Sequence, residues 1–213
     1  MNKTKNVILL HGYASSGNSS KARYLDDKFR ERLEVAFHSF DFNPTPKDFE
    51  YMTVTGMINR LRQYILDHEL NDVHLIGSSM GALVGIHYAQ WFGGVPRLLL
   101  LAPAVSFGGF RNEKRQQWEA SGAIQEMHYD FGEELPLRYG MFLDGSNYIN
   151  PIPPPVPTVI IHGVRDDIVP VALSRYYTEG HSDMVELVEV ESDHRLQDQM
   201  DVIWDYVNSF LLG

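Results

Sequence analysis

Short apolar runs alternate along the chain with longer stretches in which apolar residues recur every three to four positions. The runs Asn6 to Leu10, Val35 to Phe40, Val73 to Ile76, Arg97 to Leu101, Thr158 to Ile161 and Met184 to Val190 read as strands. Their near-continuous Val, Ile, Leu and Phe content suits strands covered on both faces, since a half-exposed strand would alternate apolar with polar residues. Between them, Ser20 to Leu33, Thr55 to Leu70, Met80 to Trp91, Val171 to Thr178 and Leu196 to Leu211 carry helical periodicity. In the last of these, Met200, Ile203, Trp204, Val207, Phe210 and Leu211 form one apolar stripe. The alternation predicts an α/β fold: a mostly parallel sheet of about six strands flanked by helices.

One segment breaks the rhythm. From Val105 to Pro157 no strong strand is evident; glycines, aromatics and charges are mixed, and the segment ends in Pro151-Ile152-Pro153-Pro154-Pro155-Val156-Pro157. A long insertion inside a compact domain is usually a lid or a small helical cap. The expected organisation is a single domain over 1–213, with a core of 1–104 and 158–213 and a cap at 105–157. The proline run reads as an extended lead-in to the strand at Thr158.

Composition narrows the chemistry. There are 18 Lys and Arg against 28 Asp and Glu, a formal charge of -10. That balance repels polyanions and argues against nucleic acid as a partner. The chain has no cysteine, so disulfides, thiolate metal sites and a thiol nucleophile are excluded. The apolar run Val7 to Leu10 ends at His11, too short for a signal-peptide core, and no other stretch has the length of a membrane span. A cytoplasmic protein without integral membrane association is expected.

The segment Gly77-Ser78-Ser79-Met80-Gly81 leaves the strand Val73 to Ile76 and enters a helix. A nucleophile at such a junction projects from a turn so tight that the residues two before and two after it nearly touch, and glycines provide that clearance. Ser79 is therefore the candidate nucleophile; Ser78 lacks the symmetric glycine spacing. A serine hydroxyl needs a histidine to take its proton and an acid to hold the imidazolium that forms. In a parallel sheet, groups just past the carboxyl ends of strands gather on one edge.

By that filter His194, after the strand ending at Val190, is the candidate base, whereas His181 lands on the opposite edge. His11 and His162 sit in strand-terminal His-Gly pairs and read as turn residues. The acid is sought after Thr158 to Ile161, where Asp166 and Asp167 are both available; one of two such carboxylates commonly caps the next helix. For an oxyanion hole, the Met80 N–H follows the nucleophile, and the Tyr13 N–H lies in the loop opened by Gly12.

Together, His11-Gly12, Gly77-x-Ser79-x-Gly81, His162-Gly163-x-x-Asp166-x-x-Val169-Pro170 and His194 resemble the α/β-hydrolase superfamily over nearly the whole chain. The Ser, Asp, His order is the one this superfamily uses. The resemblance implies Asp166 as the acid and Asp167 as its neighbour. His11-Gly12-Tyr13-Ala14-Ser15-Ser16, Ser20-Lys21-Ala22 and Ala102-Pro103-Ala104-Val105 are similar to the small YqiA-like (UPF0227-type) esterases. Two departures bear on substrate choice: the cap is longer than in the smallest members, and Asp193 replaces the glycine often found before the catalytic histidine.

The resemblance implies cofactor-free hydrolysis of a carboxylic ester or acyl thioester through an acyl-enzyme on Ser79. The expected partner is a small acyl substrate, and the chain is expected to be a monomer or homodimer. An amidase or peptidase with the same triad, and a ligand-binding receptor on a hydrolase scaffold with little turnover, are the competing readings. The cap aromatics, Phe107, Phe110, Trp118 and Phe142 among them, either line an acyl pocket above Ser79 or form the cap's own small core. Trp118, Phe142 and Phe107 are the candidate substrate contacts.

Overall fold

A computed structural model of the protein describes residues 5–108 and 112–213; Phe110 lies outside them. Six parallel strands form the central sheet in the order β2-β1-β3-β4-β7-β8. They are β1 (Lys5–Leu10), β2 (Val35–Phe40), β3 (Val73–Ser78), β4 (Leu98–Leu101), β7 (Thr158–Gly163) and β8 (Val185–Val190). All six sequence-predicted strands are present, with ends shifted by at most two residues.

Because side chains alternate across a strand, successive residues divide the core into two layers. Ile8, Leu10, Leu75, Leu98, Leu100 and Ile160 pack on the side of α3 (Val54–Asp67) and α4 (Met80–Phe92). Val7, Leu9, Ile76, Leu99, Leu101, Val159 and Ile161 pack on the side of α1 (Ser20–Phe29) and α8 (Met200–Tyr206). Helix α4 is buried continuously from Gly81 to Ala89, which explains why its sequence is apolar on every face. α1 and α3 start at side-chain caps: Ser19 accepts from the Ala22 N–H and Thr53 from the Gly56 N–H. Between β2 and α3, a short α2 (Pro46–Glu50) begins at a Thr45/Asp48 capping box.

The structure adds α2 and ends α1 at Phe29, four residues before the expected Leu33, and it departs most from the sequence expectation in two places. The carboxyl-terminal helix is broken into a 3-10 turn at Gln197–Gln199, α8, and a π-helical turn at Val207–Leu211. Leu196 itself is left-handed, with φ 54°, and its side chain is fully buried just after the His194 loop.

The inserted segment, read as lacking strands, contains an antiparallel hairpin of β5 (Ala123–His128) and β6 (Glu133–Arg138). It lies between α5 (Asn112–Ser121) and α6 (Gly140–Gly145), with α7 (Val171–Glu179) following β7. Charges on the open face of the hairpin and Pro136 within β6 dilute the strand signal, while Leu135 and Leu137 face inward. The inserted segment is tied to the core by Arg138, which donates to the buried Glu50 carboxylate at 2.8 Å, and by Thr55, whose hydroxyl donates to Asp144 at 2.6 Å. Among the described residues, no helix is long and apolar enough to cross a membrane.

Candidate active site

Ser79 stands between β3 and α4 with φ 52° and ψ -117°, a backbone region that a non-glycine residue enters at a cost of about 1–3 kcal/mol. Three hydrogen bonds enforce it. The Ser79 N–H donates to the Leu101 carbonyl at 2.9 Å, and the Ser79 carbonyl accepts from the N–H groups of Ala82 at 3.0 Å and Ala104 at 3.1 Å. The flanking glycines are sterically required. A Cβ on Gly77 would lie 2.6 Å from Ala82 Cα, and one on Gly81 would lie 2.7 Å from the His11 carbonyl oxygen. The turn thus aims the Ser79 side chain outward from the sheet edge.

The structure brings Ser79, His194 and Asp166 together. His194 Nε2 is 3.1 Å from Ser79 Oγ, and His194 Nδ1 is 2.7 Å from Asp166 Oδ2. His194 is held in its loop by an Asx turn, in which the Arg195 N–H donates to Asp193 Oδ1 at 2.8 Å. Asp193 therefore supplies by hydrogen bonding a tight turn of the kind a glycine permits. That loop lies directly on the end of β7: a Cβ on Gly163 would meet the Asp193 carbonyl oxygen at 2.7 Å.

Asp166, not the exposed Asp167, faces the histidine. The Asp166 carboxylate is fully buried and accepts four hydrogen bonds. Its Oδ1 accepts from the N–H groups of Ile168 at 2.9 Å and Val169 at 2.8 Å. Its Oδ2 accepts from His194 and from His162 Nε2, the latter at 3.0 Å. Burial alone would raise its pKa, but the hydrogen bonds from His162, His194 and Val169 outweigh burial and hold the carboxyl well below the usual range.

His162 is more than a turn residue. It is fully buried at the end of β7, where its Nε2–H also faces the Val169 carbonyl at 2.9 Å and its Nδ1 lies 2.8 Å from Ser174 Oγ. Since a carbonyl can only accept, the proton sits on Nε2, and the imidazole clamps the loop that carries Asp166. The sequence signal was present in the four-residue spacing from His162 to Asp166.

His11 does comparable work on the other side of Ser79. Its Nδ1–H donates to the Gly12 carbonyl at 2.8 Å, while Nε2 lies between the Phe42 N–H at 3.0 Å and Asp41 Oδ1 at 3.2 Å. Among the described residues every peptide is trans, so fixing the Gly12 carbonyl toward His11 turns the Tyr13 N–H the opposite way. Gly12 lies against the serine: a Cβ there would be 3.1 Å from Ser79 Cβ and 3.7 Å from Ser79 Oγ. Among the described residues no backbone carbonyl accepts from the Tyr13 N–H, and Met80, as the first residue of α4, has no acceptor within its own helix. The inserted hairpin touches the same loop, where the Tyr129 N–H donates to the Ala14 carbonyl at 3.1 Å.

Trp118, Phe142 and Phe107 are placed in the inserted segment's packing. Trp118 is fully buried, its indole N–H donating to the Leu137 carbonyl at 2.8 Å. Phe142 packs edge-on against both Trp118 and Phe107 with ring centroids 6.2 Å apart. Phe107, buried, fills the space above Gly145. Among the described residues, no group of three or more His, Cys, Asp or Glu is arranged to hold a metal ion.

A sequence model of the family described as "Uncharacterised protein family (UPF0227)" matches residues 6–211. Palmitoyl-protein thioesterase ABHD10, mitochondrial, of Bos taurus is 26% identical over 216 residues, covering 94% of this chain and 70% of its own length. A candidate hydrolase from Agrobacterium vitis S4 superposes with a TM-score of 0.81 at 20% identity, covering 99% of this chain and 89% of that one. The mouse alpha/beta hydrolase domain-containing protein 10 gives a TM-score of 0.75 at 21% identity, over 98% and 91% of the two chains. The fold is that of the α/β-hydrolases.

Proposed function

The chain belongs to the uncharacterised protein family UPF0227, and from that premise we propose that it is a serine hydrolase cleaving carboxylic esters or acyl thioesters through an acyl-enzyme on Ser79. The observation that carries the reading is the continuous hydrogen-bonded line from Ser79 Oγ through His194 to a buried, ionised Asp166. The thioesterase name of the bovine relative supports an acyl thioester as substrate class.

In the first half-reaction His194 Nε2 takes the Ser79 proton as Oγ attacks the carbonyl carbon. Asp166 holds the imidazole with Nδ1 protonated and stabilises its positive charge. The oxyanion is received by the N–H groups of Tyr13 and Met80, the former aimed by the His11 bond to Gly12. Collapse of the tetrahedral intermediate expels the alcohol or thiol with the proton from His194. Water, deprotonated by the same histidine, then releases the acid. No cofactor is required by this sequence of steps. The 105–157 segment acts as a cap over the serine in this reading, with the partly exposed Phe142 as its contact to the acyl group, Phe107 and Trp118 being buried in the segment's own packing.

Labelling by a fluorophosphonate probe, followed by turnover on p-nitrophenyl esters and acyl-CoAs of graded chain length, tests the proposal. Wild-type protein should be labelled and should turn over at least one series. Ser79→Ala should lose labelling and about 10⁴-fold or more of turnover. Wild-type-like ester cleavage by Ser79→Ala would falsify the nucleophile assignment, and labelling without turnover on any ester, thioester or amide would favour a receptor.

A further inference from the structure

A cavity of about 500 Å³ opens at the seam between the core and the far end of the inserted segment, away from the triad. His87, Gln90 and Trp91 of α4 form one wall, and Asn147, Tyr148 and Pro153 form the other. At a rise of 1.5 Å per residue, His87 lies about 12 Å along α4 from Ser79, on the way to the opposite edge of the sheet. Its size falls within the roughly 300–1,000 Å³ of small-molecule sites.

Three observations define what would fit. Among the described residues, no Asp, Glu, Lys or Arg lines the cavity, so a charged guest would find no counter-ion. Its walls are largely flat rings: His87 lies nearly perpendicular to Tyr148 at 4.8 Å and to Trp91 at 5.6 Å, and Trp91 and Tyr148 are 6.0 Å apart. Finally, His87 is only 5% exposed, and neither ring nitrogen has a hydrogen-bond partner. Leaving a buried polar group unpaired costs about 1–3 kcal/mol.

The hydroxyls nearby are already committed. Thr55 Oγ1 donates to Asp144 and, with that proton spent, accepts from Tyr148 at 2.6 Å. Burial lowers the His87 pKa, keeping the ring neutral at pH 7, when one nitrogen donates and the other accepts.

We propose that this cavity is a second ligand site, taking an uncharged planar aromatic molecule that carries an N–H or O–H group. Both His87 nitrogens are covered by their surroundings, so a guest reaches one only as Trp91, about half exposed, swings away and then closes over it. The guest stacks between Trp91 and Tyr148 and donates to the free nitrogen of His87, while Gln90 and Asn147 line the polar rim. Because the two walls belong to the core and to the inserted segment, an occupied cavity would brace one against the other.

The test uses protein labelled with ¹³C at histidine Cε1, with the His87 resonance assigned by its disappearance in His87→Phe. Indole, phenol, cyclohexanol and sodium benzoate are titrated separately. Indole and phenol should move the His87 resonance saturably, with cyclohexanol and benzoate at least tenfold weaker. Trp91→Ala, at a half-exposed position, should weaken indole binding about tenfold, or about 1.4 kcal/mol, as should His87→Phe where it folds. No saturable shift with indole or phenol at their solubility limits overturns the proposal, as does an equal response to cyclohexanol. A shift of the His194 resonance in place of His87 also overturns it, because the guest would then occupy the triad site.

Discussion

Replacing Asp166 by Asn separates the charge of the carboxylate from its shape. In the native site all four hydrogen bonds run toward the carboxylate: two backbone N–H groups meet Oδ1, and two imidazole N–H groups meet Oδ2. An amide has one accepting oxygen, so in either orientation its NH₂ faces two donors. If the NH₂ takes the Oδ2 position, His194 must turn its lone pair to it from Nδ1 and carry its proton on Nε2. That proton then points at Ser79 Oγ, 3.1 Å away, and the ring can no longer act as a base.

The expected loss of turnover is about 10⁴-fold, or about 5.5 kcal/mol of barrier. Two hydrogen bonds to a charged group are also lost, at about 1.5–3 kcal/mol each. Turnover on the best p-nitrophenyl ester and urea denaturation, compared with Asp167→Asn at the exposed neighbour, measure the two effects. The pH dependence carries a sign. Because the folded-state pKa of Asp166 is depressed, its contribution is full above the unfolded value of about 3.9 and disappears as pH falls through the folded value. The stability gap between wild type and Asp166→Asn should be flat near neutrality and shrink in acid. Turnover within tenfold of wild type, or a gap that widens as pH falls, would refute the reasoning.

Three further outcomes follow from the packing. Gly81→Ala places a methyl group against backbone oxygens of β1 and His11, which cannot swing away, so thermal melting should show a large loss of stability; an unchanged Tm would contradict the steric account. Trp118→Ala should destabilise by about 3–5 kcal/mol in urea, because the indole is fully buried and hydrogen-bonded; a variant of normal stability with altered chain-length preference would instead make Trp118 a substrate contact. His162→Phe keeps the ring but strips Asp166 of one donor, so turnover should fall by less than in Asp166→Asn while urea stability falls by about 2–3 kcal/mol; equal turnover losses in the two variants would show that His162, not Asp166, governs the orientation of His194.

The six core strands were legible because a sheet buried on both faces demands nearly continuous apolar runs, as in Leu98 to Leu101. Ser79 and His194 were legible because parallel strands deliver their following loops to one edge. The inserted hairpin was hidden because only one face of each strand packs, and that face is short: Ile124 and His128 on β5, Leu135 and Leu137 on β6. The break before α8 was hidden for a different reason. Leu196 continues the apolar stripe by composition, and nothing in that stripe marks the left-handed backbone that interrupts the helix there. His11 and His162 read as turn residues because a lone histidine in a His-Gly pair has no sequence mark of its partners; only the folded chain sets one against Gly12 and the other against Asp166.

The bond from the Tyr129 N–H to the Ala14 carbonyl has a consequence for anyone exchanging parts between relatives. The turn of the hairpin is a neighbour of the loop that presents the Tyr13 N–H, so the 105–157 segment is not a detachable specificity module. A transplanted segment that lacks a donor at this position would leave the Ala14 carbonyl, at a residue held at φ 50°, without that support. Chimeras should therefore be cut so that the 11–16 loop travels with the hairpin that steadies it, and those that separate the two should lose rate on every substrate alike.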